Sequence, residues 1–226
     1  MRRRTDVLLG LLLAALTAAL AAGALLSVDI AVRDWVDSHR PPVLYWTARV
    51  LNYLGQGWLL QLMSLAAALW LVRRERSIRP LLPVAAAYVS LVALVGPVKV
   101  LTDRVAPHHE SGAAEFFTGG MSYPSGHVAN SIVWYGVLAL LLGGVLSPAA
   151  RRWLRILPPV VVLVITTYLG FHWLTDSIAG LFAGLLLDRV LRRIDWNRLW
   201  LPPPVRKWSH DVPELAPERS AGPGLR

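Results

Sequence analysis

The 226-residue sequence contains no cysteine. Disulfides and thiolate metal sites are therefore excluded, and nothing about the redox compartment can be read from the chain. Charge is also scarce. Asp, Glu, Lys and Arg make up 16% of the residues, against about 25% in an ordinary soluble domain. So small a charged fraction argues against both a water-soluble globule and a disordered chain. What the sequence has instead is apolar bulk: 55% of its residues are hydrophobic and the mean hydropathy is +0.48. The formal charge of +9 would suit a nucleic-acid partner if the basic residues formed one surface. They sit instead at the ends of apolar runs, where membrane topology accounts for them, so no nucleic acid is expected.

A membrane-spanning helix needs roughly 20 mostly apolar residues. Six runs approach this length, at 7–27, 45–72, 81–101, 127–146, 156–171 and 177–187. The last gains length if its helix continues through Asp188 towards Arg193. Arg2, Arg3 and Arg4 ahead of the first run, with Ala22-Gly23-Ala24 after it, could mark a signal peptide. An h-region is only about 7–15 residues long, so an uncleaved first helix is the expectation. Eighteen of the 23 basic residues fall at 2–4, 73–79, 151–155 and 189–226. The positive-inside rule then puts both termini in the cytoplasm and the opposite helix ends outside or in the periplasm. Residues 28–42 mix Asp29, Arg33, Asp34 and Asp37 with Ile30, Val32, Trp35 and Val36, a pattern that predicts an amphipathic helix on the membrane surface. The expected fold is all-α: residues 1–201 form a six-helix membrane bundle with an interfacial helix between the first two spans. Residues 202–226, rich in proline and charge, read as a disordered cytoplasmic tail. No internal repeat supports an inverted-repeat transporter, and the oligomeric state is not readable.

Ionisable groups at membrane depth are costly and by default mark a site. In this chain they fall at one set of helix ends. Lys99 closes the third span, Ser125-Gly126-His127 opens the fourth, and His172 and Asp176 lie between the fifth and sixth. The long segment 102–123 connects the same ends, and structureless loops of that length usually carry function. A phosphate would explain each residue. A Pro-Ser-Gly-His turn opening a helix offers a hydroxyl, free amides and a positive dipole end to an anion. Lys99 brings a cation to phosphoryl oxygens. His172 and Asp176, four apart, would share a helix face, so that the carboxylate orients an imidazole able to act as nucleophile. His127 is a second imidazole, suited to protonating a leaving oxygen. Taken singly, each has a plainer reading: an interfacial histidine, a snorkelling lysine, small-residue helix packing. Their order and one-sidedness favour a single pocket. His108-His109-Glu110 does not suggest a metal site, because adjacent residues seldom converge on one ion.

Three blocks, KVLTDRVAP from Lys99, PSGH from Pro124 and ITTYLGFHWLTD from Ile165, resemble those of the type 2 phosphatidic acid phosphatase family, membrane enzymes that act on lipid phosphates. The resemblance implies a phosphohistidine intermediate on His172. Asp176 would orient that histidine, and His127 would protonate the leaving group and later activate water. Lys99, Ser125 and Gly126 would bind the phosphoryl oxygens, with no metal or other cofactor. The substrate class it implies is a lipid phosphate or isoprenyl (pyro)phosphate held by its tail in the bilayer. Two family arginines are out of register. Ala106 precedes Pro107 where the pattern has arginine, and Thr166, after Ile165, replaces the arginine of the third block. Arg104 is the nearest cation and the expected substitute at the phosphate, with His108, His109 and Asn130 as further candidates. A phosphotransferase using the same intermediate, or a weakened lipid-phosphate binding or transport protein, stands as the alternative.

Overall fold

The computed structural model describes residues 2–199, so the tail expected at 202–226 lies outside the described residues. Among the described residues there are eight α-helices and no strand. They are α1 (Arg2–Ala21), α2 (Leu26–Ser38), α3 (Pro42–Leu51), α4 (Gly57–Glu75), α5 (Leu81–Thr102), α6 (Gly126–Leu141), α7 (Pro148–Tyr168) and α8 (Leu174–Leu191).

Helix α6 forms the centre. It has no acidic, lysine or arginine residue, 12 of its 16 residues are buried, and it touches α4, α5, α7 and α8. Its approach to α8 depends on small side chains. A methyl group added at Gly180 would come within 2.6 Å of the Ser125 carbonyl oxygen, and one at Gly184 within 2.9 Å of Ile132. Two glycines four apart let the backbones close up, which is how helices pack when no hydrophobic drive separates lipid from protein. Helix α1 lies at the edge against α8 and buries only Leu9 and Leu20 among its described side chains.

The structure differs from the expected spans in two respects. The run 45–72 is not one helix: α3 and α4 meet at 46° across the 3₁₀ turn Asn52–Gly55 and the extended Gln56. Asn52, Gly55 and Gly57 are weak helix formers, and non-helical backbone at membrane depth is tolerated where it lines a cavity. By length and composition, three helices (α1, α5, and α6 with the turn after it) can cross a membrane, or four if the bent pair counts as one span. Helices α7 and α8 fall short through their charges: Arg151, Arg152 and Arg155 in the first, Asp176, Asp188 and Arg189 in the second. Several of these charges are paired inside the bundle, Asp188 with Arg155 at 3.0 Å and Asp176 with Arg104 at 2.6 Å. Pairing lowers the cost of a charge in an apolar setting, a term that composition does not contain.

Helix α2 occupies the segment expected at the membrane surface; Val36 is buried and Asp34 and Asp37 are exposed, as an amphipathic helix requires, but Asp29 departs from that pattern. Asp29 is buried, while Val28 and Trp35 are exposed. The exposed apolar side chains suit lipid contact; the buried carboxylate has a different task, described below.

Candidate active site

The polar helix ends meet at one end of the bundle. The C-terminus of α5 and the N-termini of α4, α6 and α8 converge there around a cavity of about 300 Å³. Its walls include Gln56, Gly57, Lys99, Met121, Gly126, His127, Asn130 and His172. The segment between α5 and α6 is built to close this site. Asp103, in a left-handed conformation at the end of α5, accepts with its carbonyl from the amides of Thr118, Gly119 and Gly120. The Ser122 amide then donates to the Arg104 carbonyl at 2.7 Å. A side chain at Gly120 would strike the Arg104 and Val105 backbone, so glycine is required where the loop folds back on itself. The turn carries Ser122 to the underside of His172.

The hydrogen bonds around His172 fix its tautomer. The Ser122 hydroxyl donates to Asp176 Oδ2 at 2.5 Å, which consumes its only proton. His172 Nδ1 lies 3.2 Å from that hydroxyl oxygen and 3.0 Å from the Ser122 carbonyl oxygen. Both are acceptors, so Nδ1 carries the proton and Nε2 keeps its lone pair. Nε2 stands 3.2 Å from His127 Nδ1. His127 in turn stacks against Phe171, ring centroids 6.1 Å apart.

Asp176 is completely buried and holds four partners. Its Oδ2 accepts from Ser122 and from the Trp173 amide at 3.0 Å, its Oδ1 accepts from Arg104 at 2.6 Å, and His172 Nδ1 is 3.8 Å away. The four-residue spacing does not give the shared helix face expected from sequence, because His172 lies ahead of α8. Asp176 sits in the first turn and caps the helix, and the contact with His172 runs mainly through Ser122.

Lys99 reaches across the cavity and donates to the Met121 carbonyl oxygen. Its ammonium hangs over Gly126, where an added methyl would lie 4.0 Å away. Gly126 begins α6, whose free amides and positive dipole end face the same space. Asn130 also lines it; its Nδ2 donates to the Gly126 carbonyl at 2.7 Å and its Oδ1 accepts from Trp134 at 3.0 Å. Ser125 is fully buried behind the wall, where its hydroxyl oxygen accepts from the Val128 amide at 3.3 Å and caps α6.

Arg104 does not line the cavity. Its side chain is 0% exposed and already engaged: Nε donates to the Ala114 carbonyl at 2.7 Å, Nη1 to Thr175 Oγ1 at 2.9 Å and Asp176 at 2.6 Å, Nη2 to Asp29 at 2.6 Å. Asp29 also accepts from the Thr175 amide and hydroxyl. The guanidinium is thus clamped between two carboxylates at the start of α8, one of them brought by α2. His108 and His109 stay outside the cavity too: His108 pairs with Asp37 at 3.1 Å and His109 with Ser111. One aromatic supports the loop from below. Thr17 spends its proton on the Leu13 carbonyl, so the Tyr123 hydroxyl donates to Thr17 at 2.7 Å. Burial pushes that phenol up to about 12, and it remains a donor at neutral pH.

Sequence reasoning missed Ser122, Asp29, Thr175 and the α3–α4 break. Only Asp29 left a signal, as the first of the charged residues in the segment 28–42 and the one flanked by Val28 and Ile30. Among the described residues no three His, Asp or Glu side chains are grouped to hold a metal ion.

Two imidazoles, an ammonium and a helix N-terminus thus line one small cavity at one end of an apolar helical bundle, groups whose chemistry suits an anion. Comparison with known proteins gives the chain a family. The sequence model of the PAP2 superfamily matches residues 80–200, more than half of the chain, and the chain belongs to that superfamily. Its fold is similar to the crystal structure of the first transmembrane PAP2 type phosphatidylglycerolphosphate phosphatase from Bacillus subtilis. The TM-score is 0.73 and the sequence identity 25%, over 87% of this chain and 98% of that one. No curated protein matches the chain. Family and fold together support a lipid phosphatase function in a multi-pass membrane protein.

Proposed function

We propose that the protein hydrolyses a lipid phosphate through a phosphohistidine on His172, without a metal, at a site facing outside or the periplasm. The observation that carries the reading is the His172 tautomer. A protonated Nδ1 bonded to Ser122 leaves the Nε2 lone pair on the cavity wall, where His127 is its neighbour at 3.2 Å. The incoming phosphoryl group takes the place of His127 against Nε2. Nε2 attacks phosphorus, the bond to the lipid oxygen breaks, and a protonated His127 gives its proton to that oxygen. In the second half His127 accepts a proton from water, the oxygen attacks phosphorus, and the phosphorus–nitrogen bond breaks to release inorganic phosphate. Lys99, the Gly126 amide and the α6 dipole neutralise the phosphoryl oxygens, which is most of what phosphoryl transfer asks of a protein. Ser125 contributes by capping α6, and Arg104 by holding Asp176 rather than by touching phosphate. Topology supports the outward orientation, since the basic residues gather at the other helix ends.

The test is phosphate release by the purified protein from phosphatidic acid, phosphatidylglycerol phosphate and isoprenyl phosphates, with and without chelator. Release should persist under chelation and disappear in His172→Ala, and a brief quench should trap an acid-labile phosphoprotein in the wild type alone. Release unchanged in His172→Ala removes the assigned nucleophile; release abolished by chelator removes the metal-free mechanism.

A further inference from the structure

A second cavity, of about 520 Å³, adjoins the catalytic one; Gln56 lines both. Its walls carry Arg49 from the last turn of α3 and Asn52 from the turn that breaks the span. Arg49 has no acidic partner among the described residues. Its guanidinium carbon stands 5.9 Å from the Phe171 ring centroid, and the same ring stacks on His127 with centroids 6.1 Å apart. The cation and the His127 imidazole thus share one aromatic neighbour. Asn52 is 6% exposed and its buried carboxamide oxygen has no hydrogen-bond partner. Buried amides left unpaired are rare and costly. Rotating the group by half a turn would present its NH₂ to an oxyanion instead.

The catalytic cavity leaves room for such help. Lys99 is the one Lys or Arg among the residues lining it, because Ala106 and Thr166 hold the positions where the family pattern has arginine. A substrate with two adjacent phosphate groups brings more negative charge than that ammonium and a helix end offset. The exposed side chains of Trp46, Tyr53 and Trp58 surround the second cavity, as amphipathic aromatics do where lipid meets water. We infer that Arg49 and Asn52 form a second anion subsite, which takes the phosphate next to the scissile one in a lipid bearing two phosphate groups. The inference rests on the lipid phosphatase reading above. The second phosphate can be the inner one of a diphosphate or the phosphodiester of phosphatidylglycerol phosphate; both present the same oxyanion to a guanidinium.

The experiment compares wild type, Arg49→Ala, Arg49→Lys and Asn52→Ala in the full-length protein in detergent. Substrates are an isoprenyl diphosphate, phosphatidylglycerol phosphate and phosphatidic acid, which has one phosphate. Losing a charge-assisted hydrogen bond corresponds to roughly 10–100-fold. Arg49→Ala should raise KM by that factor on one or both two-phosphate lipids, with kcat and the phosphatidic acid kinetics within about twofold. Arg49→Lys should recover part of the loss, and Asn52→Ala should lower the same discrimination to a smaller extent. A loss confined to the diphosphate assigns the subsite to a pyrophosphate, and one confined to phosphatidylglycerol phosphate assigns it to the phosphodiester. Equal losses on all three lipids, or none, overturn the inference. If the wild type hydrolyses nothing, the phosphatase reading fails by itself. The subsite is then judged by calorimetric binding of a methylene-bisphosphonate lipid: binding at least tenfold weaker in Arg49→Ala supports it, and unchanged binding overturns it.

Discussion

Helix α8 carries an aspartate near each end, and the two have different surroundings. Asp176 is 0% exposed and held by Ser122, the Trp173 amide and Arg104, which is itself fixed by Asp29. Asp188, twelve residues on, pairs with Arg155 and Arg192, whose side chains are 27% and 43% exposed. Nearby, Asp6 takes Arg189 at 2.7 Å and also Arg193. The basic end is a set of half-exposed ion pairs tying α1, α7 and α8 together. At the other end Asp29, Arg104 and Asp176 form a cluster that is buried and multiply bonded, and Ser122 links it to the His172 imidazole. Asp188 is itself 7% exposed, but its two arginines reach water, which with salt screens these pairs and lowers what each is worth. A buried pair is neither cheap nor optional: its desolvation is repaid only while all partners are in place.

The comparison can be broken in a graded series. The largest effect is expected of Asp176→Asn. An amide in place of the orienting carboxylate should lower kcat by up to about 10⁴-fold, as loss of an orienting aspartate does in a hydrolytic triad, while the isosteric Asp188→Asn leaves kcat within about twofold. Next comes Arg104→Ala, which strands Asp29 and Asp176 without a cation. It should cost about 3–5 kcal/mol of stability, read as a fall in the melting temperature in detergent, and replacing Asp29 as well should recover part of it. Ser122→Ala removes the bridge between His172 and Asp176. A drop in kcat of about tenfold with little change in KM is expected for one lost hydrogen bond in the transition state; an unchanged kcat would mean that Asp176 acts on His172 directly. The smallest effect belongs to Asp188→Asn on stability, under about 1 kcal/mol and shrinking further at high salt.

Much of the candidate site was legible before any coordinates. Lys99, Gly126, His127 and His172 stand at predicted helix ends and line one cavity. Polar residues bordering long apolar runs are few, and few residues leave few combinations. The fold class was legible for a similar reason, since apolar runs of that length suit little besides membrane helices. Arg104 shows where such reasoning stops. It is the nearest cation to the missing arginine position, yet its guanidinium points to Asp29 and Asp176. The position of a residue in a loop says nothing about the direction of its side chain. The break between α3 and α4 was hidden because Asn52–Gly57 interrupts hydrophobicity too briefly to register in a 20-residue window. His172 and Asp176 illustrate a third limit: four-residue spacing implies a shared face only inside a helix, and α8 starts between them.

Helical structure, membrane association and the gathering of polar side chains at one set of helix ends are properties that hydropathy along the chain already carries. Each segment carries that hydropathy independently of the others. Only the tertiary structure decided which groups touch. Asp29 and Thr175 bond to one another across 146 residues of sequence, Ser122 slides beneath His172, and a bent span brings Gln56 and Gly57 to the wall. Such pairings arise from how closely helices pack and how a loop folds back on itself, and both depend on every neighbour at once.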